Sequence, residues 1–207
     1  MKIGVLGSGQ VGGAIAGKLV RLGHEAIIGS RQPDRPELVA FAESIGAERA
    51  SYAEAAAHGD WIVNALPGEH AVSILSGCRI DRKILVDICN YDHAVDQPIV
   101  RSLGETIQAA FPLARLVKTL NCVSAHLMVD PASLDGPHAV FIASNDADAK
   151  RQVSDMLRSF GWQSILDLGD LTACRATEQL IPLWMRLEQK FGNPNFNLAV
   201  LHHQNAL

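Results

Sequence analysis

Lys2-Ile3-Gly4-Val5-Leu6-Gly7-Ser8-Gly9-Gln10-Val11-Gly12 opens this chain and decides its fold. Ile3, Val5 and Leu6 make the short apolar run that a buried strand needs; Val11, Ile15, Leu19 and Leu22 then form one helical stripe. Between the two stands G-x-G-x-x-G. Gly7 permits the tight turn, Gly9 lets main chain approach a pyrophosphate, and Gly12 lets helix and strand pack closely. The helix N-terminus adds a partial positive charge at the same place. Alone, the hexapeptide is weak evidence. After a strand and before a helix it predicts dinucleotide binding, with Gly7, Ser8, Gly9, Gln10, Val11 and Gly12 at the cofactor.

The same rhythm continues outward. Apolar runs at 25–29, 61–65, 83–88, 115–120, 139–143 and 163–167 predict further strands, rich in Val, Ile, Leu and Ala as strands covered on both faces are. Helical patterns lie between them, including about 146–160, with Val153, Met156, Leu157 and Phe160 facing inward. This alternation predicts an α/β fold, a doubly wound and mainly parallel sheet joined by right-handed crossovers. From Leu171 to about Phe191 the pattern is helical again, with Leu180, Ile181, Leu183, Trp184, Leu187 and Phe191 apolar, and Pro182 should kink or restart it. No strand follows. The expected organisation is therefore a Rossmann domain over 1–168 and a C-terminal helical capping or dimerisation segment over 169–207.

The loop after the second strand selects the dinucleotide. An NAD site usually has Asp or Glu there to bond the ribose 2′-hydroxyl. Here the position reads Gly29-Ser30-Arg31, followed by Arg35 on a segment stiffened by Pro33 and Pro36. A hydroxyl and two guanidinium groups suit a 2′-phosphate, which arginine can bind bidentately. The expected cofactor is NADP(H).

Ligands in open α/β sheets sit beyond the carboxyl ends of the strands. Those ends read Asn64-Ala65-Leu66-Pro67-Gly68, Asp87-Ile88-Cys89-Asn90 and Lys118-Thr119-Leu120-Asn121, with small or amide-bearing residues that leave room for a flat ring. No nucleophile with its base can be assembled, so no catalytic side chain and no metal site are expected. Asp92-His93 with Asp96 reads as a polar loop, His70 as a first-turn surface residue, and His202-His203 as solvent-facing. Hydride transfer between two flat cofactors fits that inventory, because it needs orientation and exclusion of water more than a proton donor.

Composition narrows the rest. In 207 residues, 48% hydrophobic and 19% charged content excludes a disordered chain, and a net charge of -4 argues against a general nucleic-acid binder. The charge-free stretch 3–17 is too rich in glycine for a membrane span, and Met1-Lys2 runs into the glycine motif without a signal-peptide pattern. A cytoplasmic protein without a membrane partner is expected. Cys78, Cys89, Cys122 and Cys174 lack any C-x-x-C pair and read as reduced, packed thiols.

Taken in order, six motifs carry a resemblance. They are Gly7-Ser8-Gly9-Gln10-Val11-Gly12, Gly29-Ser30-Arg31, Leu66-Pro67-Gly68-Glu69-His70-Ala71, Val86-Asp87-Ile88-Cys89-Asn90, Val117-Lys118-Thr119-Leu120-Asn121, and Gly169-Asp170-Leu171 with Arg175 and Glu178. The chain resembles the NADP oxidoreductases dependent on coenzyme F-420, a deazaflavin, and is similar to the cytosolic domain of STEAP-type metalloreductases. The resemblance covers nearly the whole chain. It implies that Ser8 to Val11 hold the pyrophosphate and that Ser30, Arg31 and Arg35 hold the 2′-phosphate. It also implies that Leu66, Pro67 and Val72 line the nicotinamide ribose region, with Val123 and Ala125 near the nicotinamide. Asn121 belongs to the same set of cofactor-facing residues at the strand ends. The implied co-substrate is coenzyme F-420 or a flavin, in a cleft closed by the C-terminal segment of a homodimer. Two departures fall on the acceptor side. No proline follows Asn90, and Cys122 stands where a small or hydroxyl residue is usual.

Two other functions compete. An NADPH-dependent reductase of a small carbonyl or imine would need a proton donor in the cleft, and Lys118 is the one lysine near a strand end. A non-catalytic NADPH-binding redox sensor would need none. Fold cannot separate them.

Overall fold

The computed structural model describes residues 1–92 and 101–202. Its first half is β1 (Lys2–Leu6), α1 (Gln10–Arg21), β2 (Glu25–Gly29), α2 (Pro36–Ile45), β3 (Glu48–Ala50), α3 (Tyr52–His58), β4 (Trp61–Asn64), α4 (Gly68–Leu75) and β5 (Ile84–Asp87). Then come α5 (Leu103–Ala110), β6 (Arg115–Thr119), α6 (Ala125–Val129), β7 (Val140–Ala143), α7 (Ala147–Phe160), β8 (Ile165–Asp167), α8 (Cys174–Glu178) and α9 (Ile181–Phe191). Every strand expected from the apolar runs forms within its expected bounds. β3 was missing from that set because its three residues, Glu-Arg-Ala, are half-buried or exposed and make no apolar run.

One eight-stranded sheet has the order β3-β2-β1-β4-β5-β6-β7-β8. Pairings from β3 through β6 are parallel, β7 lies antiparallel to β6, and β8 is parallel to β7. The 20-residue connection from β6 to β7, which holds α6, stays at one end of the sheet, and the chain enters β7 in the opposite direction to β6.

Alternate strand residues feed two apolar layers. Ile3, Val5, Val63, Val86 and Val117 pack with α1, α2, α6 and α7, through Ile15, Leu19, Leu38, Leu127, Val153 and Leu157. Leu6, Ile62, Leu85 and Leu116 pack on the other face with α3, α4, α5 and α8, through Ala55, Leu75, Ile107 and Cys174. Burial on both faces is why the strands read as continuous apolar runs.

The C-terminal helical pattern breaks where Pro182 suggested. α8 ends at Glu178, and α9 begins at Ile181 with Pro182 in its first turn. α8 is anchored by buried Cys174, Thr177 and Glu178, whereas α9 buries none of its residues fully. The tail then returns to the body, where Ala139 N donates to Leu198 O and Ser124 Oγ to Pro194 O. No helix among the described residues is long and apolar enough to cross a membrane.

Candidate functional site

Strand order reverses between β1 and β4, and a cleft opens at their carboxyl ends, as this topology dictates. Its floor is the glycine turn. Gly7 sits at φ 124 and donates from its N–H to Gly29 O, which ties the turn to the end of β2. A Cβ there would strike the Ala65 carbonyl, and one at Gly12 would strike the Gly7 carbonyl. Those two glycines are demanded by the fold. Gly9 is not: its backbone is extended (φ -84, ψ -169) and an added Cβ meets nothing within 4 Å. The room beside Gly9 is where a pyrophosphate would come against main chain.

Side-chain caps are absent at the helix starts beside the cleft, as they also are at α6, α8 and α9. Ser51, Ser102 and Asp146 cap α3, α5 and α7 with their own side chains. α1, α2 and α4, whose N-termini face the cleft, have Gly9, Arg35 and Pro67 at that position and no side-chain cap. Uncapped N–H groups together with the helix dipole favour an anion.

The cleft, about 500 Å3, is lined by Ser8, Ser30, Arg31, Gln32 and Arg35 on one side and Tyr52, Pro67, His70, Ser73 and Ile74 on the other. Ser30 Oγ accepts from Ser8 Oγ at 3.3 Å and from Gln32 N at 3.2 Å, which leaves its own proton for an anion. Arg31 and Arg35 are exposed beside it. Arg35 Nε pairs with Glu37 at 3.4 Å, but that contact is open to water and weak. Tyr52, Ser73 and Ile74 were not singled out from sequence; His70, read there as a first-turn surface residue, is exposed and lines the cleft. His70, Ser73 and Ile74 share one face of α4 at helical spacing, and projecting that helix would have found them.

The remaining expected residues lie toward β4, β5 and β6. Leu66 and Val123 are buried, Pro67 is exposed on the cleft, Val72 is half-buried against the α4 apolar layer, and Ala125 begins α6 half-buried. Asn121 is buried, and its amide is already engaged: Nδ2 donates to Asn90 Oδ1 at 3.0 Å, while Asn90 Nδ2 donates to Asn121 O at 2.7 Å. Between these two residues the main chain of Leu120 takes φ 62, a left-handed conformation that is rare for leucine. His93, Asp96 and His203 lie outside the described residues.

Sequence reasoning missed the charge cluster beneath this end of the cleft. Lys118 Nζ lies 3.0 Å from Asp87 Oδ2, 3.0 Å from Glu178 Oε1 and 2.7 Å from the Cys89 carbonyl. Burial opposes its charge, yet the Asp87 and Glu178 carboxylates more than offset that, and its pKa is held well above the ordinary lysine range. Asp87 Oδ1 also accepts from Asn64 Nδ2 and Cys89 N. Glu178 accepts from Leu103 N and Gly104 N, the first turn of α5. Lys118 therefore stays protonated and fully bonded, a poor proton donor to a substrate. Cys89, Cys122 and Cys174 are free, buried thiols. Desolvation raises all three, Cys122 and Cys174 to about 12, so they are inert at neutral pH.

The family model described as NADP oxidoreductase, coenzyme F-420-dependent, matches residues 2–91. A crystal structure described as a putative F-420-dependent NADP-reductase from Arthrobacter sp. FB24 is 40% identical, with a TM-score of 0.92, covering 98% of this chain and 100% of that one. This chain belongs to the coenzyme F-420-dependent NADP oxidoreductase family. It is also similar to the F-420-dependent NADP reductase of Methanocaldococcus jannaschii, 27% identical over 225 residues, covering 97% of this chain and 98% of that protein. The metalloreductase STEAP3 of Rattus norvegicus is 32% identical over 195 residues, covering 88% of this chain. The match spans 38% of the metalloreductase's length.

As a member of this oxidoreductase family, the chain offers an uncapped helix start and an open glycine turn next to a cleft lined by two arginines. The donor set fits a dinucleotide carrying an extra phosphate.

Proposed function

We propose that this chain transfers hydride between NADP(H) and a deazaflavin such as coenzyme F-420, or a similar flavin, as a homodimer. The observation that carries the reading is the cleft itself, where Ser8, Ser30, Arg31 and Arg35 line one wall next to the glycine turn and the uncapped start of α1. NADPH would supply the hydride from its nicotinamide ring. The chain's own part is alignment. The main chain of Ser8 to Val11 holds the pyrophosphate, and the Ser30 hydroxyl with the two guanidinium groups holds the 2′-phosphate. Leu66, Pro67 and Val72 bound the nicotinamide ribose, with Val123 and Ala125 beside the ring. A deazaflavin accepts hydride at carbon and can take its ring proton from water, so no protein acid is required. The enclosure of Lys118 by two carboxylates and a carbonyl supports this over direct reduction of a carbonyl or imine, which needs such a donor.

The test mixes the protein with NADPH or NADH and a panel of acceptors (coenzyme F-420, FMN, FAD, aldehydes and imines), following the nicotinamide absorbance. Oxidation of NADPH with F-420 or a flavin, in preference to NADH, is expected. Turnover confined to an aldehyde or imine would replace the deazaflavin reading, and tight NADPH binding with no turnover would favour the sensor.

A further inference from the structure

Alignment of two rings uses no buried charge, yet this chain encloses one cation and two carboxylates under the cleft. The side chain of Lys118 is 1% exposed and those of Asp87 and Glu178 are 0% exposed. Replacing a buried ion cluster of this kind by apolar residues is often neutral or stabilising, so stability alone gives no reason for it.

The bonds made by the cluster point to another role. Lys118 holds the Cys89 carbonyl at 2.7 Å, directly before Asn90. Through Asp87 it is joined to Asn64 at the end of β4, and through Glu178 to α8 and the first turn of α5. One ammonium group thus ties three strand ends to the C-terminal segment. The loop beside it contains Leu120 at φ 62, and such a conformation persists only where the surroundings over-determine it. The mutual amide bonds of Asn90 and Asn121 close the same loop.

We propose that Lys118 is a positioning residue, which fixes the Cys89–Asn90 and Leu120–Asn121 main chain as the surface on which the nicotinamide half of the dinucleotide settles. The proposal rests on the NADP(H) reading above. It assigns the adenosine half of the ligand to Ser30, Arg31 and Arg35, and the two halves can be separated by experiment. Adenosine 2′,5′-bisphosphate carries the 2′-phosphate and lacks nicotinamide. NADPH carries both.

Lys118→Met and Glu178→Gln are each titrated with the two ligands, with thermal melting as a control for folding. In Lys118→Met the NADPH dissociation constant should rise about tenfold while that of the bisphosphate stays within about twofold. Glu178→Gln leaves Lys118 on Asp87 and Cys89, and should give a smaller selective loss, about threefold. If Lys118→Met does not melt cooperatively, the Glu178→Gln pair of constants decides. A merely structural role would weaken both ligands alike or neither, and either result overturns the proposal. A wild-type protein that binds neither ligand would overturn the NADP(H) reading and this proposal with it, whereas equal shifts on an intact wild-type site would overturn this proposal alone.

Discussion

A Cβ added at Gly12 would run into the Gly7 carbonyl, whereas one added at Gly9 meets no atom within 4 Å. The two glycines of one motif therefore answer to different constraints. Gly12→Ala should lower stability by about 2 kcal/mol or more, because main chain must move. Gly9→Ala should keep stability within about 1 kcal/mol, close to the effect of a changed N-cap. The same substitution should weaken NADPH at least about tenfold by filling the space a pyrophosphate needs. Thermal melts beside NADPH titrations check both, and a Gly9→Ala protein with unaltered affinity would remove the pyrophosphate from that turn. Arg31 belongs to the other end of the ligand. Arg31→Ala removes charge-assisted bonds of about 1.5–3 kcal/mol each, so NADPH affinity should fall at least about tenfold while NADH changes little. Equal losses for both cofactors would contradict a 2′-phosphate site. At this scale the backbone demand on Gly7 and the grouping of Ser30 with Arg31 after β2 were legible, because both are set by neighbouring residues. Lys118, Asp87 and Glu178 were not legible as a unit, since 31 residues separate Lys118 from Asp87 and only packing shows that their charges meet.

Among the elements, α7 carries the clearest pH signature. Asp146 caps it by accepting from Ala149 N at 2.9 Å, and Arg115 at the start of β6 donates to both Asp146 oxygens, at 2.6 and 3.1 Å. The arginine bonds, then the cap bond, hold the Asp146 pKa down to about 2. A depressed carboxylate adds stability above its unfolded pKa of about 3.9 and loses that contribution as pH falls through the folded value. Asp146→Ala should therefore cost about 1–2 kcal/mol at pH 7. The gap from wild type should shrink from about pH 4 downward and close as the folded-state pKa of about 2 is passed. Urea unfolding across that range measures it, and a gap independent of pH would show that the carboxylate charge is not the cause. Helices and strands were largely readable from apolar spacing. The antiparallel entry of β7 was not, because an apolar run buried on both faces carries no sign of the direction in which the strand joins its neighbour.

For the whole molecule, the open question of assembly lies on α9. None of its residues is fully buried, Leu183 is 49% exposed and Phe191 54%, and the Trp184 indole N–H has no partner among the described residues. Trp184 packs on Phe196 at 5.4 Å, which covers part of the stripe and leaves the rest outward. Apolar surface of this kind usually marks an interface, and a two-fold pair buries it on both copies at once. Light scattering at micromolar concentration should give twice the 22.3 kDa chain mass, and Leu183→Glu should return a monomer that still melts cooperatively, at a lower temperature because the subunit contact is lost. A wild-type particle of 22.3 kDa would refute the dimer.

The amino-acid sequence by itself determined the Rossmann-type alternation, the glycine turn, and the Ser30-Arg31 pair that stands after β2 in place of an acid. Each of these depends on residues within one turn or one element, where φ, spacing and charge act locally. Only the tertiary structure decided the direction of β7, the recruitment of Tyr52, His70, Ser73 and Ile74 to the cleft, and the enclosure of Lys118 between Asp87 and Glu178. Those depend on segments far apart in the chain meeting in a medium of low dielectric, where distance and desolvation, not sequence order, set the energy.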